Sequence, residues 1–244
     1  MGQNNPAPPT ALSNATMLAA LGVTIMYGLA ALVALLTSGT YNQDGRITTV
    51  ALVSLTGLIL WLVGMYNLSS VFKGANDNVS RGFKGVFNGQ LGIVIATVVC
   101  ILLFLLVLNT GKKSFSDIDR SVLYIKLVLV ALCVCHVIFL SICNSHSRAL
   151  KSAGLKSMGI VSAAFVIQLI VMTILALFLF VVLFKTEDSA LFAFDHGLGG
   201  VYTLGILLGL TLVVAAVLLI VGMWNVRSEL PKAYDGAFKR VGEL

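Results

Sequence analysis

The chain has 244 residues, of which 58% are hydrophobic and 11% charged, and its formal net charge is +6. Soluble domains carry about 25% charged residues, and a soluble fold of this length could not hide so much apolar surface. The composition therefore excludes an ordinary soluble domain and makes a lipid bilayer the natural solvent.

The first 16 residues, MGQNNPAPPTALSNAT, are rich in Pro and Asn and hold no Lys or Arg. They read as a disordered tail rather than a cleavable signal peptide, and the first span reads as a retained anchor. A helical span needs about 20 largely apolar residues. Six stretches qualify: Met17–Ser38, Thr48–Leu68, Gly89–Asn109, Ser121–Cys143, Met158–Phe184 and Val201–Trp224. Their apolar runs are continuous and lack the short alternation of barrel strands, so helices are expected, with backbone groups paired inside each segment. The longest connections have about twenty residues, which leaves no room for a separate soluble domain.

The return spans carry an internal repeat. Leu62–Ala75 reads LVGMYNLSSVFKGA and Ile220–Ala233 reads IVGMWNVRSELPKA, with six of fourteen positions identical. The fourth span ends FLSICNSHSRALKSA and keeps the Asn-x-x-Ser core. The three copies are Asn67 with Ser70, Asn144 with Ser147, and Asn225 with Ser228. The odd spans begin alike, at Gly22, Gly92 and Gly159, and Gly-to-Asn distances of 45, 52 and 66 residues imply outer loops that lengthen along the chain. The expected fold is an all-α membrane protein of six transmembrane helices arranged as three tandem helical hairpin repeats. Its divisions are an N-terminal tail (1–16), repeats at 17–75, 76–153 and 154–233, and a C-terminal tail (234–244).

Asn and Ser three residues apart share a helix face. They can hydrogen-bond neighbouring helices or simply cap helix ends, and three such faces meeting on a pseudo-threefold axis would lock one end of the bundle. Gly205 and Gly209 form a Gly-x-x-x-Gly pair in the sixth span, and Gly92 with Ala96 and Gly159 with Ala163 are looser small-residue pairs. Such pairs allow close helix packing, more often within one chain than between chains.

Basic residues set orientation. Ten fall on the face that holds both termini and the second and fourth loops, including Lys73, Arg81, Lys84, Arg148, Lys151, Lys156, Arg227 and Lys232. Five fall on the other: Arg46, Lys112, Lys113, Arg120 and Lys185. Both termini are therefore expected in the cytoplasm, with the chain in the inner or plasma membrane. The positive charge suits an anionic leaflet, and without a compact basic domain no nucleic-acid partner is expected.

An ionisable group inside a span is a functional candidate by default. His136 lies mid-span and shares a helix face with Cys143 and Ser147, with Cys133 nearby. Imidazole and thiols could bind a soft metal such as copper(I), or His136 could relay protons. The repeat-equivalent positions are Ile59 and Val217, so symmetry supplies no further ligands, and a neutral His bonded to a neighbouring helix, with Gln168 as a candidate partner, is the expected role. Lys126 is expected to snorkel, and Ser116 with Asp119 to cap a helix start. The four cysteines, Cys100, Cys133, Cys135 and Cys143, read as free thiols. Phosphate-binding loops, nucleophile elbows, metalloprotease helices and dinucleotide fingerprints are all absent from the sequence. Neither an enzyme nor a cofactor is expected.

Span number, hairpin order and basic charge are similar to those of the mitochondrial carriers. Their Pro-x-Asp/Glu-x-x-Lys/Arg signature is missing, since the prolines (Pro6, Pro8, Pro9 and Pro231) all lie outside the spans, and their function is not carried over. Bacterial vitamin-uptake binding subunits are similar in size and span count, without a matching motif. The leading expectation is a non-catalytic subunit or scaffold of a larger membrane assembly, with the bilayer and other membrane subunits or its own copies as partners. A solute or ion transport protein with a pseudo-threefold pathway is the alternative, and a metal or redox protein using His136 the weaker one.

Overall fold

The computed structural model describes residues 9–36, 43–110, 115–184 and 187–242, with side chains described over 10–36, 47–107, 123–180 and 205–235 and at 45 and 203. The described residues form α1 (Pro9–Val23), a π-helical segment (Thr24–Leu29), α2 (Ala30–Leu36), α3 (Gln43–Val71), α4 (Asp77–Thr110), α5 (Phe115–Ser152), α6 (Met158–Phe184) and α7 (Glu187–Gly242). Six stretches are long and apolar enough to cross a membrane: Thr10–Leu36, Ile47–Val71, Asp77–Val107, Leu123–Ser152, Met158–Phe180 and Gly205–Asp235.

The helices outlast their apolar stretches, because hydropathy marks what can sit in lipid while a helix ends only where its backbone is turned. Two glycines at positive φ do the turning: Gly74 (φ 85°) after α3 and Gly154 (φ 105°) after α5. At the second, Gly154 N–H donates to the Lys151 carbonyl (3.1 Å) and Leu155 N–H to the Leu150 carbonyl (3.1 Å). This is the Schellman pattern, closed by an apolar contact between its flanking residues, and Leu150 and Leu155 are both fully buried. After Gly74, Asn76 caps α4 through its Oδ1, which accepts from Val79 N–H at 3.2 Å.

Three expected boundaries move. The N-terminal tail of 1–16 is helical from Pro9, and Leu12, Ala15 and Thr16 are buried; residues 1–8 lie outside the described residues. Proline suits the first helical turn, where its missing N–H costs nothing, so Pro9 starts a helix instead of preventing one. The C-terminal tail of 234–244 continues α7 as far as Gly242, with Tyr234 buried and its ring 5.7 Å from that of Phe72. Pro231 lies inside this helix. The last outer loop is helical from Glu187; the side chains of its acidic residues, and those of Ser116 and Asp119, lie outside the described residues.

The chain divides into two compact units. The first comprises Met1–Asn88, Ile142–Ala164 and Ala215–Leu244. Glycines let its helices approach backbone to backbone. A Cβ on Gly22 would stand 2.7 Å from the Gly57 carbonyl oxygen, and one on Gly57 would stand 2.7 Å from the Gly22 oxygen, so the contact is reciprocal. Gly64 meets the backbone of Ala19 on the same seam between α1 and α3. In α4, Gly82 lies beneath Leu150 of α5 and Gly85 beneath the His146 ring, and in α7 Gly222 packs on Val161 of α6. In each of these pairs the numbering rises on one helix as it falls on the other. The core is filled by fully buried Trp61, Met65, Leu68, Phe72, Phe83 and Met223, among others.

The second unit comprises Gly89–Ser141 and Phe165–Val214. There Gly92 of α4 receives the Phe139 ring of α5, and Cys100, Cys133, Leu140, Phe165 and Val171 are buried. Over residues 205–214 of α7 every residue is exposed except half-buried Leu208.

Candidate functional site

Several polar side chains in the spans close on their own helices. Thr24, Thr56, Thr97, Thr173 and Thr211 each donate to the carbonyl four residues back, at 2.7–2.9 Å. His136 does the same kind of thing, with Nδ1 2.8 Å from the Leu132 carbonyl oxygen. Its ring is half-buried, and Gln168 is buried in the same unit. Lys126 is half-buried. All four cysteines are reduced, outside any disulfide. Cys143 Sγ lies 3.7 Å from the Val86 carbonyl oxygen. Among the described residues no three His, Cys, Asp or Glu side chains gather as a metal site would, so the sequence candidates His136, Cys133 and Cys143 are not brought together as ligands.

The three Asn-x-x-Ser copies stand in different surroundings. Asn144 Oδ1 accepts from Ser162 Oγ at 2.6 Å, a link from α5 to α6. Ser147 is fully buried, and its Oγ has no hydrogen-bond partner among the described residues. By contrast Asn67 is half-buried, and Ser70, Asn225 and Ser228 are exposed; Ser228 Oγ donates to the Asn225 carbonyl at 2.7 Å. A lock made of three equivalent inward faces is therefore not what the described residues form. The first and third copies do match each other closely. Val63 and Val221 are exposed, Gly64 and Gly222 buried, Met65 and Met223 buried, and Leu68 and Val226 buried. The second copy is turned about the helix axis, so that Leu140, Cys143 and Ser147 are buried where Val63, Tyr66 and Ser70 are exposed.

Gly205 and Gly209 were expected to pack within the chain. Instead both are exposed, and a Cβ on either would meet nothing within 4 Å. The close approaches fall on Gly22, Gly57, Gly64, Gly82, Gly85, Gly92 and Gly222. Their signal was in the sequence as Gly-x6-Gly in α3 and Gly-x2-Gly in α4, spacings that return to one helix face after two turns and after one.

Two further features escaped sequence reasoning, and the first is a pair of polar ties made by α7. The Glu229 carboxylate of α7 accepts from Ser157 N–H at 3.0 Å and Ser157 Oγ at 2.9 Å, immediately before α6. Trp224 Nε1 donates to Thr24 Oγ1 at 3.0 Å, tying α7 to the π-helical segment, and the Arg227 guanidinium lies 5.3 Å from the Trp224 ring. The second feature is an open cleft of about 440 Å³ where α3 passes into α4, lined by Lys73, Arg81 and Lys84 with serines, Asp77, Tyr66 and Phe87. In the sequence these cations served only to set orientation, since nothing linear shows that a five-residue turn folds them together.

No protein-family description, curated protein or solved structure matches the chain. Fold and composition define its class: an all-helical, multi-pass membrane protein.

Proposed function

We propose that the protein is a non-catalytic, membrane-integral subunit that holds its place in a larger assembly through the outer part of α7. The observation that carries this reading is the exposed Gly205-x-x-x-Gly209 pair, on a stretch of helix with almost no burial in its own chain. Lipid can solvate such a stretch, but small residues spaced by four gain most from a second helix, because they let two backbones approach closely. The partner is a transmembrane helix with small residues at the crossing, from another subunit or another copy.

The transport alternative has weaker support, because the span threonines and His136 direct their hydrogen bonds to their own helices and not towards a shared path. The tandem hairpin plan belongs to this proposal as well. It is favoured by the matching burial around Asn67 and Asn225, by Gly64 and Gly222 each packing on the preceding span, and by turns at Gly74 and Gly154. Cytoplasmic termini, from the basic-residue bias, complete it.

The test is the mass of the gently solubilised particle. The proposal expects a species well above the 25.9 kDa chain, reduced to single chains by Gly205→Leu with Gly209→Leu, while thermal stability of the monomer stays the same. A wild-type particle of one chain only would sink it.

A further inference from the structure

The cleft at the α3–α4 turn concentrates charge. Its wall carries three cations, Lys73, Arg81 and Lys84, against one carboxylate, Asp77. That carboxylate is turned back on the chain, with Oδ1 accepting from Gly74 N–H at 3.1 Å. Arg81 is held in place by its own helix, through Nη2 to Asn78 Oδ1 at 2.7 Å and Nε to the Asp77 carbonyl at 3.3 Å. Lys73 and Lys84 are exposed and have no ion-pair partner among the described residues. Ser80 Oγ is engaged with the Ser69 carbonyl at 2.7 Å, whereas Ser70 is exposed beside the lysines. Two flexible ammonium groups, a hydroxyl and a fixed guanidinium around one concavity are the chemistry of a phosphate receptor.

What surrounds the cleft selects the source of that phosphate. Along α3, Ile59, Val63, Tyr66 and Ser70 follow one another at helical spacing, Lys73 comes next in the turn after the helix, and all five are exposed. The stripe is apolar, then aromatic, then hydroxyl, then cationic. Tyr66, 59% exposed, meets the Phe87 ring at 5.6 Å on the apolar side of the cleft. This is the polarity sequence of a phospholipid read from its chains to its headgroup. Basic pockets between transmembrane helices suit anionic headgroups.

We propose that this cleft binds the phosphate of an anionic phospholipid, with Lys73, Arg81 and Lys84 on the headgroup and the acyl chains laid along Ile59, Val63 and Tyr66. The site belongs to the first unit, and the residues of the assembly surface proposed on α7 belong to the second.

Native mass spectrometry of the full-length protein, titrated with phosphatidylglycerol or phosphatidylcholine, tests it. Each exposed lysine near an anionic headgroup contributes about fivefold in affinity. Lys73→Gln with Lys84→Gln should weaken phosphatidylglycerol binding about 25-fold, and either single change about fivefold. Lys156→Gln with Lys232→Gln removes the same charge from other exposed positions and should change binding by less than about twofold. Three outcomes would overturn the proposal: equal losses in the two double variants, equal binding of phosphatidylcholine, or displacement of the lipid by inorganic phosphate at the lipid's own concentration. The last would identify a soluble phosphate as the ligand. The single variants keep the test decisive if the double variant does not fold.

Discussion

Glu229 and Ser157, 72 residues apart in sequence, form a two-point cap: one carboxylate oxygen takes the Ser157 N–H at 3.0 Å and the other its hydroxyl at 2.9 Å. An N-terminal helix end leaves backbone N–H groups unsatisfied and carries partial positive charge. A carboxylate borrowed from α7 answers both at the start of α6 and fixes where the two helices meet.

Glu229→Ala removes both bonds and should destabilise the protein by about 1–2 kcal/mol. Glu229→Gln keeps the shape and one acceptor and should cost less. Thermal unfolding in detergent gives the order; equal midpoints for wild type and the alanine variant would remove the capping role.

The seam of α1 and α3 leaves no room for a methyl group. Gly22→Ala and Gly57→Ala each drive a Cβ into opposing backbone, which cannot rotate away as a side chain can. Each should cost at least about 1–3 kcal/mol, the usual penalty of overpacking. Gly205→Ala and Gly209→Ala, in open space, should leave monomer stability unchanged. Unfolding midpoints of the four variants check the contrast directly.

Among the Asn-x-x-Ser copies, only Asn144 has a hydrogen bond to another helix that the described side chains display, to Ser162 at 2.6 Å. Asn144→Leu should therefore cost about 0.6–2 kcal/mol. Asn225→Leu, on an exposed face, should change stability by less than about 0.5 kcal/mol. Equal losses in the two variants would restore the idea of a symmetric lock.

Ser147 gives the opposite sign. Its hydroxyl is buried without a hydrogen-bond partner among the described residues, and an unsatisfied buried polar group costs about 1–3 kcal/mol. Ser147→Ala should leave stability unchanged or raise it, by up to that amount. A clear loss, measured by the same unfolding assay, would show that the hydroxyl has a partner in the membrane-embedded protein.

The sequence by itself determined the solvent, the number of spans and their approximate centres, because the cost of exposing polar backbone to lipid leaves long apolar helices as the form for such a composition. It also carried the likeness of the segments around Asn67 and Asn225, since a shared polar residue in an apolar run is not explained by composition. Helix ends were less legible. Hydropathy stops at the lipid boundary, whereas α3 and α5 run on to the glycines that turn them, and Pro9 starts a helix where a tail was expected. Tertiary structure alone decided which face of each helix turns inward. The motif at Asn144 repeats the letters of its relatives but not their rotation, so Ser147 is buried while Ser70 and Ser228 are exposed. It also decided which glycines touch a neighbour: the recognisable pair in α7 stands open, and less conspicuous ones in α1, α3 and α4 carry the packing. Spacing fixes which residues share a face; only the neighbouring helices fix where that face points.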